Sequence, residues 1–151
     1  MKAIKIINRA LTPKESNQVN LGFDTLMREE LVALEETEPI HFVAIHEDNL
    51  IGCAIGLAHK NGDVFSGWFH LTDLFVEKEF RNLGIGASLL KELEAHCKAI
   101  GVTKIWLWTS GAASVRFYNR YEYSQFAELE HWYSDGSSRI GLRKILNNTL
   151  K

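Results

Sequence analysis

The apolar and polar positions of this chain form short runs of period two and longer stretches near period 3.6. Residues 3–7 are an apolar, strand-length run expected to open the fold as a first strand. Thr12-Pro13 supplies a helix N-cap with proline at the first helical position, and the helical pattern continues to about Glu36 as two helices broken near Gly22. Residues 41–46 and 50–58 are β-branched, apolar runs joined by Glu47-Asp48-Asn49, the composition of a hairpin turn. Residues 59–67 read as a polar, glycine-containing loop.

Residues 68–76 alternate. Strict parity puts Trp68, His70, Thr72, Leu74 and Val76 on one face and Phe69, Leu71, Asp73 and Phe75 on the other. Both faces are mostly apolar, so this strand is expected at the centre of a sheet. Gly86, Leu89, Leu90, Leu93, Cys97 and Ile100 then form one stripe at helical spacing, with Gly101 as the residue just past the helix end. A strand at Lys104–Thr109 completes a strand–helix–strand unit, which predicts a right-handed crossover between parallel strands. A short helix near residues 112–120 and a terminal hairpin, 125–133 and 138–146 about Asp135-Gly136, close the chain. The fold class expected is α+β: a mixed, mostly antiparallel twisted sheet of six to seven strands, with helices on both faces and a central parallel pair.

With 151 residues, 46% of them hydrophobic, the chain is long enough for one cored domain spanning 1–151. No apolar run is long enough to cross a bilayer. The N-terminal run is broken by Asn8, Arg9, Pro13 and Lys14, unlike a secretory signal. Cys53 and Cys97 lie in apolar segments outside any disulfide or CxxC pattern, which fits a soluble, cytoplasmic protein. A formal net charge of -2 with scattered Lys and Arg gives no footprint for nucleic acid. The acidic group Glu29, Glu30, Glu35, Glu36 and Glu38 reads either as a solvated face or as an attractor for a cationic substrate. His41, His46, His59, His96 and His131 show no ligand spacing, so no metal is expected.

The chemistry concentrates in FVEKEFRNLGIGASLL. Gly84 and Gly86 stand at the mouth of the amphipathic helix, where backbone N–H groups near Leu83 to Ala87 have no intrahelical acceptor. Glycine allows close approach of a bulky anion, the helix dipole favours negative charge, and Arg81 adds a charge-assisted bond. The dinucleotide fingerprint fails because Leu89 stands where its third glycine belongs, and the P-loop fails because no Gly-Lys-Ser/Thr follows.

LTDLFVEKEFRNLGIGASLLKELEAHCKAIG resembles the acetyl-CoA-binding signature of the GNAT N-acetyltransferase superfamily, and FYNRYEY resembles its second motif. The likeness covers about residues 38–144, and LRKIL is similar to the ending of small bacterial-type members. The resemblance implies that Leu74, Phe75 and Val76 form the bulged strand that pairs with pantetheine. It implies that Arg81, Asn82, Leu83, Gly84, Ile85, Gly86, Ala87 and Ser88 form the pyrophosphate loop, with Ser114 and Phe117 also on the cofactor, and that Tyr118 stands near the thioester sulfur. Members similar to this chain usually have a small polar residue or asparagine at the position of Gly111, alanine at Ser114 and glycine at Glu122.

The reaction implied by the resemblance is transfer of an acetyl group from acetyl-CoA to a primary amine, in a ternary complex and without a covalent enzyme intermediate. The backbone N–H near Leu74 polarises the carbonyl and Tyr118 protonates the sulfur. An alkyl amine titrates near about 10.4, so a base must help at neutral pH. His70 is the first candidate, with Thr72 holding a water between them; Asp73 is the second, with a structural hydrogen bond to the backbone as its expected task. Trp106 and Trp108 read as core residues, whereas Trp132 and Tyr133 line an acceptor pocket or close the sheet end. The expected acceptor is a small-molecule amine, the alternatives being a protein lysine or N-terminus, or a silent acyl-CoA-binding module. The sheet edges and last hairpin suit a homodimer.

Overall fold

The computed structural model describes residues 3–146; the remainder of the expected 1–151 domain, residues 1–2 and 147–151, lies outside the described residues. By its internal contacts the chain divides into two compact units, 1–35 and 36–151, and each is described by itself. In the first, α1 spans Pro13–Glu29 as one continuous helix. The predicted strand over 3–7 does not form, and the predicted break at Gly22 is absent. Both corrections have a physical cause. Residues 3–7 have no paired strand to satisfy their backbone groups, and one glycine costs a helix only about 1 kcal/mol. The predicted start is observed as a full capping box: the Glu15 N–H donates to the Thr12 hydroxyl at 3.2 Å and the Thr12 N–H to the Glu15 carboxylate at 2.8 Å. Arg9 forks onto the same carboxylate, and that ion pair first, with the Thr12 bonds second, holds Glu15 down to about 2.

The second unit is a six-stranded mixed sheet. Its strands are β1 (Glu36–His46), β2 (Asn49–Asn61), β3 (Val64–Val76), β4 (Lys104–Thr109), β5 (Ser124–Leu129) and β6 (Arg139–Ile145), in the order β1-β2-β3-β4-β6-β5. The first three form a meander. β1 and β2 meet through Glu47-Asp48, both at positive φ, the geometry of a type I′ turn. The predicted loop over 59–67 is instead a continuation of both strands, because Asn61 pairs with Val64 about the two residues Gly62 and Asp63. Polar residues fit this exposed ribbon: Lys60 reaches the Glu38 carboxylate at 3.0 Å and stands over the Phe65 ring. The predicted terminal hairpin is observed, but β5 ends at Leu129 and the connection spans residues 130–138, closed by Ser137 N–H and hydroxyl bonds to Asp135.

Between β3 and β4 runs α2 (Ile85–Ala99), and between β4 and β5 runs α3 (Ala112–Arg120). The predicted stripe of α2 is the buried one, with Leu89, Leu90, Leu93 and Cys97 in a single core beside Phe69, Leu71, Ile105, Leu107, Leu142 and Tyr118 of α3. β2 meets that core with Gly52, Ala54, Gly56 and Ala58, small residues that leave room for the Leu89 and Phe69 side chains. Both helices end in the same closure. After α2, Gly101 sits at φ +91, with Val102 N–H bonded to the Cys97 carbonyl and Gly101 N–H to that of Lys98. After α3 the same two bonds are made by Tyr123 and Glu122, so Glu122, at φ +72, occupies the left-handed position that glycine usually takes. Lys144 of β6 and Tyr123 both bond the Glu94 carboxylate of α2 at 2.8 Å, which ties this turn to the helix and the sheet.

Candidate active site

The site arises from a short parallel ladder. β3 and β4 pair only through Trp68 with Lys104, Phe69 with Ile105 and His70 with Trp106, and then separate. Backbone groups of residues 71–76 that turn toward β4 therefore have no partner there. A cavity of about 260 Å³ opens in the gap, lined by Leu71, Thr72, Asp73, Leu74, Phe75, Leu107, Trp108, Thr109, Ser114 and Tyr118. It continues through a recess of 280 Å³, with which it shares Leu74, Phe75, Ser114 and Tyr118, toward Val76, Arg81, Gly86 and Phe117. A third recess of 220 Å³ shares those last four residues and ends at Asn82, Gly84, Ile85 and Ala87. The structure thus brings together almost every predicted cofactor residue. Leu83 and Ser88 are the exceptions: both are exposed and border a groove beside β1 that meets the third recess at Gly84 and Ile85.

At the far end Gly84 takes φ +81 as the N-cap of α2, and no side chain caps the helix. The first-turn N–H groups, those of Ile85, Gly86 and Ala87, have no intrahelical acceptor, and the turn holds no acidic residue. Arg81 is oriented by an Nε bond to the Val76 carbonyl at 2.9 Å. Gly86 faces Phe117 and Val76 at 3.7 Å, so an added Cβ would fit the protein but occupy the recess.

At the near end Tyr118 is 7% exposed, and burial pushes its hydroxyl up to about 12. That hydroxyl bonds to no other described residue, yet it is not sealed from the cavity. Phe117 and Tyr123 hold the ring at centroid distances of 5.2 and 5.4 Å. Ser114 is bonded to Thr109 across the mouth of α3. Cys97 is buried within the core, and its thiol is pushed up to about 12 by burial and then by Glu94, so it offers no thiolate nucleophile near neutral pH.

The expected face assignment along β3 is overturned. The pairing of β2 with β3 slips between Ile55 and Gly56, which pair with Asp73 and Leu71, so Thr72 is an extra residue whose hydroxyl bonds the Ile55 carbonyl at 3.1 Å and Asp73 at 2.8 Å. One extra residue inverts parity beyond it. Leu74 and Val76 join Phe69 and Leu71 on the core face with Tyr118, whereas His70 and Asp73 share the opposite face. There His70 stacks on Trp106 at 3.8 Å and 11°, and burial, then His59, then Arg139 lower its pKa. Trp106 and Trp108 are also corrected: they alternate with the buried Ile105 and Leu107 and stay half-buried on the His70 face. The bulge was named for residues 74–76 by resemblance; its position at Thr72 is set by a partner strand that no local signal in β3 identifies.

The acetyltransferase (GNAT) family profile matches residues 5–123. The chain belongs to this family. It is similar to an uncharacterized N-acetyltransferase of Methanocaldococcus jannaschii, 38% identical over 77 residues, a match spanning 47% of this chain and 47% of that protein. A crystal structure of an acetyltransferase from Bacillus cereus shares the fold at TM-score 0.76 and 21% identity over 94% of this chain and 98% of that one. So does an aminoglycoside 6'-N-acetyltransferase complexed with coenzyme A, at TM-score 0.63 and 20% identity over 76% of each chain. Among the described residues of this GNAT chain, no three His, Cys, Asp or Glu side chains converge as a metal site, and no helix is long and apolar enough to cross a membrane.

Proposed function

We propose that this GNAT chain acts as one acyltransferase domain in the cytoplasm, moving an acetyl group from acetyl-CoA to the primary amine of a small molecule in a ternary complex. The observation that carries this reading is the unbroken run of recesses from the unpaired amides of α2 to the Tyr118 hydroxyl. Acetyl-CoA, when bound, supplies the activated acetyl thioester. The chain's residues fit it: the amides of Ile85, Gly86 and Ala87, with Arg81, suit a diphosphate, and the unpaired edge of Leu74–Val76 suits an extended amide-bearing arm. The N–H near Leu74 stabilises negative charge developing on the carbonyl oxygen, and Tyr118 delivers a proton to the sulfur. Tyr118 is suited to this because its raised pKa keeps the proton in place across the working range. His70 and Asp73 approach from the opposite face, where His70 accepts the amine proton and Asp73 draws the ammonium in.

Calorimetry with coenzyme A tests the reading. Saturable binding is expected for the wild type, and about 10-fold weaker binding for Arg81→Gln, which loses a charge-assisted contact, and for Gly86→Ala, which the fold accommodates. A folded wild-type protein without affinity for coenzyme A would overturn the proposal.

The pH profile tests His70. Its pKa lies below the usual value of about 6.5, so the neutral ring is the folded form. The unfolded chain binds that proton more tightly, and stability associated with neutral His70 is present above about 6.5 and lost as pH falls below it. After correction for the amine's own ionisation, kcat/KM is expected to rise through a pKa below about 6.5 and then level. In His70→Gln that limb should vanish; a profile shared by both proteins removes His70 as the base.

A further inference from the structure

A further recess, of 310 Å³, lies on the His70 face and is lined by Trp68, Trp106, Trp108, Phe126 and Arg143. Trp108 also lines the gap between β3 and β4, so the two spaces adjoin at this residue. The recess is shaped by Gly141, which pairs with Trp108. A Cβ there would stand 2.8 Å from the Phe126 ring and 3.0 Å from Trp108, so only glycine lets Phe126, itself a bulged residue of β5, lie across the strand. Trp106 and Trp108 meet edge to face, and Phe126 tilts against Trp108 at 5.8 Å. These are flat apolar walls on a face that carries no core.

The charge of this space is uncompensated. The Arg139 guanidinium stands 5.2 Å from both the Trp108 and Trp132 rings, and Arg143 faces Trp106 in register. Among the described residues no carboxylate lies within 4.0 Å of either arginine; Glu128, on the neighbouring strand, is engaged by the Ser138 hydroxyl instead. An arginine held by aromatic faces presents its donors as a fixed fork suited to a carboxylate. At the other end of the joined space stands Asp73, exposed in the gap. The surface thus runs from an acidic group, over indole rings, to two arginines.

Resting on the acetyltransferase reading, we infer that the acceptor is a small primary alkylamine that also bears an aromatic ring and a carboxylate. Its ring stacks in the Trp106–Trp108–Phe126 recess, its carboxylate meets Arg139 and Arg143, and its amine reaches the gap beside Asp73. A purely cationic amine, the acceptor suggested by the acidic run at residues 29–38, is repelled by the two arginines. That run offers no competing site: Glu38 pairs with Lys60, and Glu29, Glu30, Glu35 and Glu36 are exposed.

The test compares phenylalanine with phenethylamine, which lacks the carboxylate, and with alanine, which lacks the ring. Calorimetry and tryptophan fluorescence are expected to show phenylalanine binding at least ~10-fold more tightly than either, the discrimination typical of a charge-assisted contact or a stacked ring. Arg139→Gln and Arg143→Gln, checked for unchanged thermal midpoint, should erase the advantage over phenethylamine and leave coenzyme A affinity within about 2-fold. In turnover the preference should appear in KM rather than kcat. Equal binding of all three, tighter binding of phenethylamine, or no saturable binding of any would overturn the inference while coenzyme A binding upheld the acetyltransferase reading. A folded wild-type protein that binds phenylalanine but not coenzyme A would overturn the acetyltransferase reading, and with it the acceptor role, while the recess itself would stand as a binding site.

Discussion

Tyr118→Phe is expected to lower turnover by 10-fold or more, toward the ~10²-fold typical of removing a general acid, while coenzyme A affinity stays within about 2-fold. The substitution removes one oxygen and keeps the ring that packs between Phe117 and Tyr123. Because the hydroxyl bonds to no described residue, its loss leaves no buried partner unsatisfied, and folding should hardly change. The change therefore separates chemistry from structure. Burial raises the hydroxyl to about 12, so its proton is retained well above neutral pH, and the wild-type profile should show no limb from this group near neutrality. Equal rates for the two proteins would take Tyr118 out of the proton transfer. A large fall in coenzyme A affinity would show that the hydroxyl binds rather than reacts.

Gly56→Ala should be the most destabilising small substitution in the sheet. The added methyl would overlap the His70 carbonyl oxygen and the Phe69 ring, and neither is free to move: one is backbone in a central strand, the other is fully buried. Overpacking of this kind costs about 3 kcal/mol, equivalent to a fall of roughly 6–12 °C in thermal midpoint for a chain of this size. Gly56 pairs with Leu71 beside the slip in register, so accommodation would also move Thr72 and the two faces it separates. Differential scanning calorimetry reads the first effect, and a raised KM for the amine at unchanged coenzyme A affinity reads the second. A midpoint within about 2 °C of the wild type would mean that the bulge absorbs a methyl, and that the faces of β3 are less rigidly set than these contacts require.

The legible parts of this protein are those written in neighbouring residues. Thr12-Pro13 announced the start of α1, the 3.6-residue stripe Leu89, Leu90, Leu93 and Cys97 announced the buried side of α2, and Gly101 announced its end. The string from Arg81 to Ala87 marked the amide-rich turn that the structure places at the end of the recesses. Each is a signal of short range, because caps, helical spacing and left-handed turns are set by bonds within about four residues. Where such a signal needed a distant partner it failed. Residues 3–7 have strand composition but no strand beside them, and residues 59–67 look like a loop yet pair, because β2 and β3 continue as a ribbon.

By itself, then, the sequence determined the order of the sheet's strands and their two crossing helices along the chain, the amide-rich turn at the start of α2 and the presence of Tyr118 in the second motif. Only the tertiary structure decided which side of the sheet each candidate site residue occupies. One extra residue at Thr72 sends Leu74 toward Tyr118 and turns Asp73 to the side of His70, and it exists only because Ile55 and Gly56, far away in the chain, pair as they do. The same holds for the space joining Asp73, Trp108 and Arg139, which arises where β3, β4, β5 and β6 come together. The physical reason is the period of a strand: with side chains alternating every residue, a single insertion reverses everything after it, and its position is a property of the pair of strands rather than of either one.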